Sequence, residues 1–288
     1  PGVKFQWAPV LQGCEGNGKT AIFSAVLYAV GRRYTHQPKA KHLGGQFNKY
    51  LENKLFILVE EIHMQGRREM LDDLKPLITN LEIEVEGKGV DQRMADNRAN
   101  WAFCTNYKDA VLKSRGDRRY AIFFTAQQGP EDLVRDGMTG SFFPTFWTWL
   151  RGDGYAAVAW FLANYAIPAD LDPAGLCHRA PETSSTDIAI EESRGGFEHD
   201  ILDAAASNVA GFRGGWVSSH ALTKLAKDSG YRIGRNKYLE IMKSLGYEFF
   251  GQAVRPIMAE GGLRPALYRL PGTETDYEVS QNYPRGVM

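Results

Sequence analysis

Residues 1 to about 128 alternate short apolar runs of β-forming residues with segments whose apolar positions recur at helical spacing, the pattern of a sheet covered by helices. The run Ala8 to Leu11 predicts a first strand. It enters a glycine-rich loop, after which Thr20 to Val30 is apolar almost all round and predicts a buried helix closed by Gly31. Leu55 to Val59 is an unbroken apolar run, as expected of a fully buried central strand. Ile83 and Val85 alternate with Glu82, Glu84 and Glu86 before Gly87-Lys88-Gly89, which predicts one arm of a hairpin and its tip, with the return arm through Val90 to Asn97. Trp101 to Thr105 and Tyr120 to Thr125 complete a core of five or so strands.

Past the sheet the pattern changes. Residues 142–165 carry Phe, Trp, Tyr and Ala at helical spacing, which predicts two packed helices parted near Gly152-Asp153-Gly154 with a structural role. Residues 166–198 hold Pro168, Pro173, Pro181 and a Thr-Ser-Ser-Thr stretch, a linker composition. Three short helices follow, over 199–207, 220–228 and 235–245, then strands at 247–250 and 266–270 around Gly251, Gly261 and Gly262. That order is a winged-helix pattern. In its third helix Tyr238, Leu239, Met242 and Leu245 share one face, leaving Arg235, Asn236, Lys237, Glu240 and Lys243 exposed, a surface suited to a DNA groove or to a protein partner. The expected organisation is an α/β core over 1–128, a helical lid and linker over 129–195, a winged-helix module over 196–272 and a tail over 273–288.

Composition adds boundaries to this picture. A chain of 288 residues with 43% hydrophobic and 24% charged residues belongs with folded globular proteins. No apolar run approaches the roughly 18 residues of a membrane helix, and no signal peptide opens the chain, so a cytoplasmic protein without membrane partners is expected. Cys14, Cys104 and Cys177 lack the spacing of a zinc site, which predicts a reducing compartment with neither disulfides nor structural metal. The start at Pro1, without Met, suggests a piece of something longer. Net charge is zero, but residues 131–200 carry 4 basic and 12 acidic side chains while 201–270 carry 10 and 5, so an acidic middle precedes a basic end.

The chemistry concentrates at a few places. Gly13-Cys14-Glu15-Gly16-Asn17-Gly18-Lys19-Thr20 matches the phosphate-binding pattern G-x-x-x-x-G-K-T in its proper setting, after a strand and before a helix. Its backbone N–H groups and the helix N-terminus would cradle the phosphates of ATP, Lys19 would meet the β- and γ-phosphates, and Thr20 would ligate Mg²⁺. Glu60 and Glu61 end an apolar strand, where ligands of open α/β sheets bind; Glu60 is expected on Mg²⁺ and Glu61 on the attacking water. Asn106 ends another strand and either holds that water or forms an ordinary turn. Arg118 and Arg119 precede a strand, as an arginine finger reaching a neighbour's γ-phosphate or as a solvated basic turn. Lys88 at the hairpin tip and Arg93 on its return arm suit a nucleic-acid backbone, though loop tips are commonly charged.

Taken together, the loop Gly13 to Thr20, the pair Glu60-Glu61 and Asn106 resemble superfamily 3 helicases of the AAA+ class. Leu74-Lys75-Pro76-Leu77-Ile78-Thr79-Asn80 followed by Val85-Glu86-Gly87-Lys88 resembles that family's additional B′ motif, and Gly116-Asp117-Arg118-Arg119-Tyr120 its arginine-finger segment. The likeness is greatest to the helicase part of phage and plasmid primase-helicases and covers about residues 5–128. It implies a P-loop AAA+-like parallel sheet with a helical lid, ATP and Mg²⁺ between the subunits of a hexameric ring, and hairpin lysines drawing single-stranded DNA 3′ to 5′ from forked substrates. It also implies an upstream primase domain or replication proteins as partners, in the cytoplasm of a bacterial host. Two other readings stand beside this one: an AAA+ ATPase that remodels or loads proteins, and a P-loop kinase of a small molecule.

Overall fold

The computed structural model describes residues 3–43, 48–62, 68–87, 90–111, 113–114, 116–253 and 262–273. The chain divides into two compact units, Pro1–Ser193 and Arg194–Met288.

The first unit is built on strands β1 (Ala8–Gln12), β2 (Thr35–His36), β3 (Phe56–Val59), the hairpin β4 (Glu82–Gly87) and β5 (Val90–Asp96), β6 (Asn100–Thr105) and β7 (Tyr120–Phe124). Its main sheet has the order β2-β3-β6-β1-β7 and every pairing is parallel. Ile57, Leu58 and Val59 are wholly buried, but β6 rather than β3 occupies the middle. The fifth strand is not an arm of the hairpin, which forms its own two-stranded sheet. It is β2, two residues long and too short for any periodicity to show. Burying one apolar side chain of this size contributes about 1.5–3 kcal/mol, so Ile57, Leu58, Val59, Trp101 and Phe103 together fix the sheet.

Helix α1 (Lys19–Val30) follows the glycine loop and ends at Gly31, whose φ of 91° favours glycine. It is not buried all round: only Lys19, Ala21 and Ala25 are, while Ile22 and Tyr28 stand more than half exposed. Phe23 and Leu27 face the sheet at Leu58, Ala102 and Cys104, and Tyr28 stacks on Tyr155 at 4.8 Å. Helix α2 (Arg68–Thr79) buries Leu74 and Ile78. Its last turn leaves carbonyls without intrahelical partners, and the Leu77 carbonyl accepts from Lys4 Nζ (3.2 Å), Asn97 Nδ2 (2.8 Å) and Trp101 Nε1 (3.2 Å). The hairpin is tied down by Asn97 at one end and by Asn48, whose side chain meets the Glu84 carbonyl (2.7 Å) and the Glu86 N–H (2.8 Å), at its outer arm.

After α3 (Pro130–Arg135), the aromatic stretch forms α4 (Phe142–Trp149) and α5 (Tyr155–Asn164). They are not parted at the glycines. Leu150–Gly154 continues as a wider π-helical turn, because Gly154 keeps right-handed helical angles and its missing Cβ makes room for the Trp149 ring. The proline-rich stretch also carries specific packing: along β7, Arg118 O accepts from Ala180 N (2.8 Å), Ile122 O accepts from Thr183 Oγ1, and Ser185 Oγ accepts from Phe124 N (2.8 Å). It covers an exposed sheet edge. Helix α6 (Thr186–Glu192) then places Ala189 in the core.

In the second unit, α7 (Gly196–Ala206), β8 (Trp216–Ser218), α8 (Ser219–Asp228), α9 (Tyr238–Ser244), β9 (Glu248–Gln252) and β10 (Ala266–Arg269) follow in that order. The antiparallel sheet runs β8-β10-β9, so a strand of three residues joins the two expected ones. Ser218, fully buried, caps α8 by accepting from Ala221 N (3.0 Å). Tyr238 and Met242 reach the core, but Leu239 is exposed and Ile241 takes the inner position expected of it.

Candidate active site

β1 delivers the glycine loop to the carboxyl edge of the sheet. Gly13 N donates to Thr105 O (3.2 Å) and Cys14 N to Gln127 O (2.9 Å), which ties the loop to the ends of β6 and β7. A Cβ on Gly13 would lie 2.1 Å from Thr125 Oγ1 and 2.2 Å from Asn17 Nδ2, so only glycine fits. Gly16 and Gly18 hold φ of 80° and 86°, the left-handed region. Asn17 bonds Thr125 Oγ1 through Nδ2 (2.9 Å) and accepts from Lys19 Nζ through Oδ1 (3.0 Å). The Lys19 ammonium also meets the carbonyls of Gly13 (2.8 Å) and Cys14 (2.7 Å). Burial lowers the Lys19 pKa, against the opposing pull of Cys104, Cys14 and Glu15.

The acids arrive from β3. Glu60 Oε1 accepts from Thr20 Oγ1 at 2.5 Å. Glu61 is exposed and has a φ of 55°, rare for a residue with a side chain. The turn it makes returns Ile62 N to Cys104 O (3.0 Å), locking the acidic pair beside the end of β6. Asn106 follows β6, and its carbonyl accepts from Gln12 Nε2 (3.2 Å), while Gln12 also pairs with Gln128 at 3.1 Å. Cys104 lies on the floor with its thiol pKa pushed up to about 12 by burial and by Glu60, against the opposing pull of Lys19.

One cleft of about 1060 Å³ is lined by Glu15, Lys19, Thr20, Glu60, Glu61 and Asn106, with Gln37 to Ala40 along a further wall. Phe143 and Trp147 of α4 also line it, and a Cβ on Gly18 would touch the Phe143 ring at 3.0 Å. The sequence assigned this helix a structural role. Its one distinguishing mark is an aromatic run without a charged residue. Gln12, a buried polar residue ending an apolar strand, was equally unassigned.

Other expected residues lie elsewhere. Arg118 and Arg119 stand before β7, at the opposite, amino edge: Ala8 N donates to Arg119 O (2.7 Å), and five residues of β7 separate them from the cleft side. Arg93 forms an ion pair with Glu52. Lys88 and the side chain of Arg235 lie outside the described residues. Lys237 is exposed in the second unit.

Thr20 Oγ1 and Glu60 Oε1 are neighbouring hard oxygens at the mouth of the cleft, a donor set that fits Mg²⁺ shared with phosphate oxygens. Among the described residues no group of three or more His, Cys, Asp or Glu gathers. A cation in the loop, two acids and an amide line one cleft at one sheet edge, groups whose chemistry can neutralise charge, accept a proton and hold a water.

Sheet and cleft define a parallel α/β protein with its candidate chemistry at the carboxyl edge of the strands. That fold is shared with the C-terminal region of NrS-1: its A-form apo structure has a TM-score of 0.59 and 14% identity, covering 93% of this chain and 67% of that one. A second apo structure of the same region gives 0.57 and 15%, covering 92% and 67%. The family described as "Family of unknown function (DUF5906)" matches residues 11–119. No curated protein matches the sequence. Among the described residues, no helix is long and apolar enough to cross a membrane.

Proposed function

We propose that this chain is an ATP-hydrolysing motor of DNA replication, of the superfamily 3 helicase type with a P-loop AAA+ core, which draws single-stranded DNA through a ring of its own copies. The observation that carries the reading is the convergence of Lys19, Thr20, Glu60, Glu61 and Asn106 on one cleft. ATP would seat its phosphates on the backbone N–H groups of Gly13 to Thr20, and Lys19 would exchange its loop carbonyls for the β- and γ-phosphates. Mg²⁺ would be held by Thr20 and Glu60 and supplies charge neutralisation on the phosphates. Glu61 accepts the proton of the attacking water, and the Asn106 amide orients that water. Arg118 and Arg119 lie at the opposite, amino edge from their own cleft, so on this reading it is a neighbouring copy's γ-phosphate that one of them meets.

The order helix, strand, helix, helix, strand, strand in the second unit supports a winged-helix module, with the exposed Lys237 and Lys243 and the local basic balance suited to DNA. Within the hairpin, Glu82, Glu84 and Asp96 are exposed and share the outer face, so contact with a DNA backbone falls to the Lys88 tip.

The test is ATP turnover with and without single-stranded DNA, together with unwinding of tailed duplexes. Lys19→Ala is expected to lose at least about a hundredfold in turnover, because it removes the phosphate-facing charge. Turnover unchanged in that variant refutes the site. Turnover that ignores DNA but responds to a protein client supports the remodelling reading instead.

A further inference from the structure

The turn that carries Arg118 and Arg119 is held from inside the chain by a buried lysine. Lys113 is 8% exposed. Its ammonium donates to the carbonyls of Asp117 (2.9 Å) and Tyr120 (2.7 Å) and lies 3.8 Å from the Asp117 carboxylate. Asp117 Oδ1 in turn accepts from Arg119 N (2.9 Å) and Tyr120 N (3.3 Å). The Arg118 carbonyl takes the Ala180 N–H at 2.8 Å, and Lys113 N donates to Ser193 Oγ at 2.9 Å.

A surface lysine keeps its head in water. Here the ammonium is directed inward at one turn, with two hydrogen bonds and a carboxylate 3.8 Å away, an arrangement that costs desolvation and is offset through the geometry it imposes. Burial accordingly draws the Lys113 pKa down, with Asp117 and Glu182 opposing and Arg179 adding to the fall. The two arginines differ. Arg119 lies 3.6 Å from Asp117 and is partly covered, so it is engaged within its own subunit. Arg118 is exposed and has no ion-pair partner among the described residues.

We propose that Arg118 is the arginine offered to a neighbouring copy, and that Lys113, through Asp117 and the carbonyls on either side, is the positioning residue that presents it. This rests on the reading that an arginine acts across a subunit boundary. Lys113 touches no substrate; it fixes the backbone from which Arg118 extends.

Mixing two inactive variants tests both layers. Lys113→Met is expected to bind nucleotide at its own cleft within about twofold of wild type, yet lose on the order of ten- to a hundredfold in turnover, as a misplaced reacting group does. Mixed with an equal amount of Lys19→Ala, which lacks a working cleft but keeps Arg118, it should recover about a quarter of wild-type turnover, since one interface in four then pairs a sound cleft with a sound arginine. Arg118→Ala mixed with Lys19→Ala serves as the reference and should recover equally. The double variant Lys113→Met/Asp117→Asn removes the carboxylate charge that Lys113→Met leaves without its ammonium and should behave as Lys113→Met does; each assay runs below the unfolding midpoint of its variant. If the Arg118→Ala mixture recovers and the Lys113→Met mixture does not, the positioning role is overturned while the trans arginine stands. If Lys113→Met keeps wild-type turnover, the positioning role falls as well. If the Arg118→Ala mixture stays inactive, the reading beneath the inference is refuted along with it.

Discussion

Glu61 joins the chemistry of the cleft to a conformation that most side chains avoid. Its φ of 55° places it in the left-handed region, which costs a non-glycine residue on the order of 1–2 kcal/mol. The surroundings hold it there: Val59 is locked in the sheet, and Ile62 N is bonded to Cys104 O. Replacing Glu61 by Gly should therefore leave a fold at least as stable as the Ala variant's, by about 1 kcal/mol in chemical denaturation. Both variants should lose on the order of a hundredfold or more in ATP turnover, the usual weight of a positioned base. Equal stability of the Gly and Ala variants would show that the strain is not there. The residue types of this site were legible in advance, since Lys19, Glu60, Glu61 and Asn106 follow strands or a loop that periodicity marks. The left-handed turn at Glu61 was not, because no turn residue announces it and only the pairing of Ile62 with β6 enforces it.

At the scale of elements, the C-terminus of α2 shows how tertiary donors finish what a helix leaves open. Lys4, Asn97 and Trp101 converge on the Leu77 carbonyl, and Lys4 also donates to Ala99 O at 2.7 Å. Burial lowers the Lys4 pKa to about 8, from an ordinary 10.5. The folded state therefore carries the desolvation cost of the charged ammonium at every pH below that lowered value. Between there and the unfolded value the folded protein sheds the proton while the unfolded chain keeps it, so stability rises with pH. Wild type should gain on Lys4→Met across that window by up to about 3 kcal/mol in denaturant midpoints read at successive pH values. A constant difference between the two proteins would contradict the burial of Lys4. None of this network was readable beforehand, because its partners lie up to 95 residues apart in the chain. The hairpin β4–β5, by contrast, was written in strict alternation between Glu82 and Glu86. The bend expected between α4 and α5 failed for a different reason: Gly152 and Gly154 mark breaks in isolated helices, whereas here a π turn packed by Trp149 absorbs them.

For the whole molecule, neutral overall charge means that the DNA affinity the proposed function requires would come from local groups. Lys88→Ala should keep basal ATP turnover and lower DNA binding, with the dependence of log affinity on log salt becoming shallower by about 0.7, the share of one phosphate contact on a single strand. An unaltered slope would remove the hairpin tip from the DNA path. The Pro-rich stretch hid its contacts with β7, because Thr183 and Ser185 look like linker residues until an edge strand is beside them.

The all-parallel sheet has one further implication. Every strand of it ends at the edge that carries the cleft, while Arg118 sits where β7 begins, five strand residues from that edge and roughly 16 Å off at the usual rise of an extended chain. On the proposed function, a solitary copy holds its fuel without the means to burn it quickly. Expenditure then starts only when copies meet, so dilution alone acts as the off state.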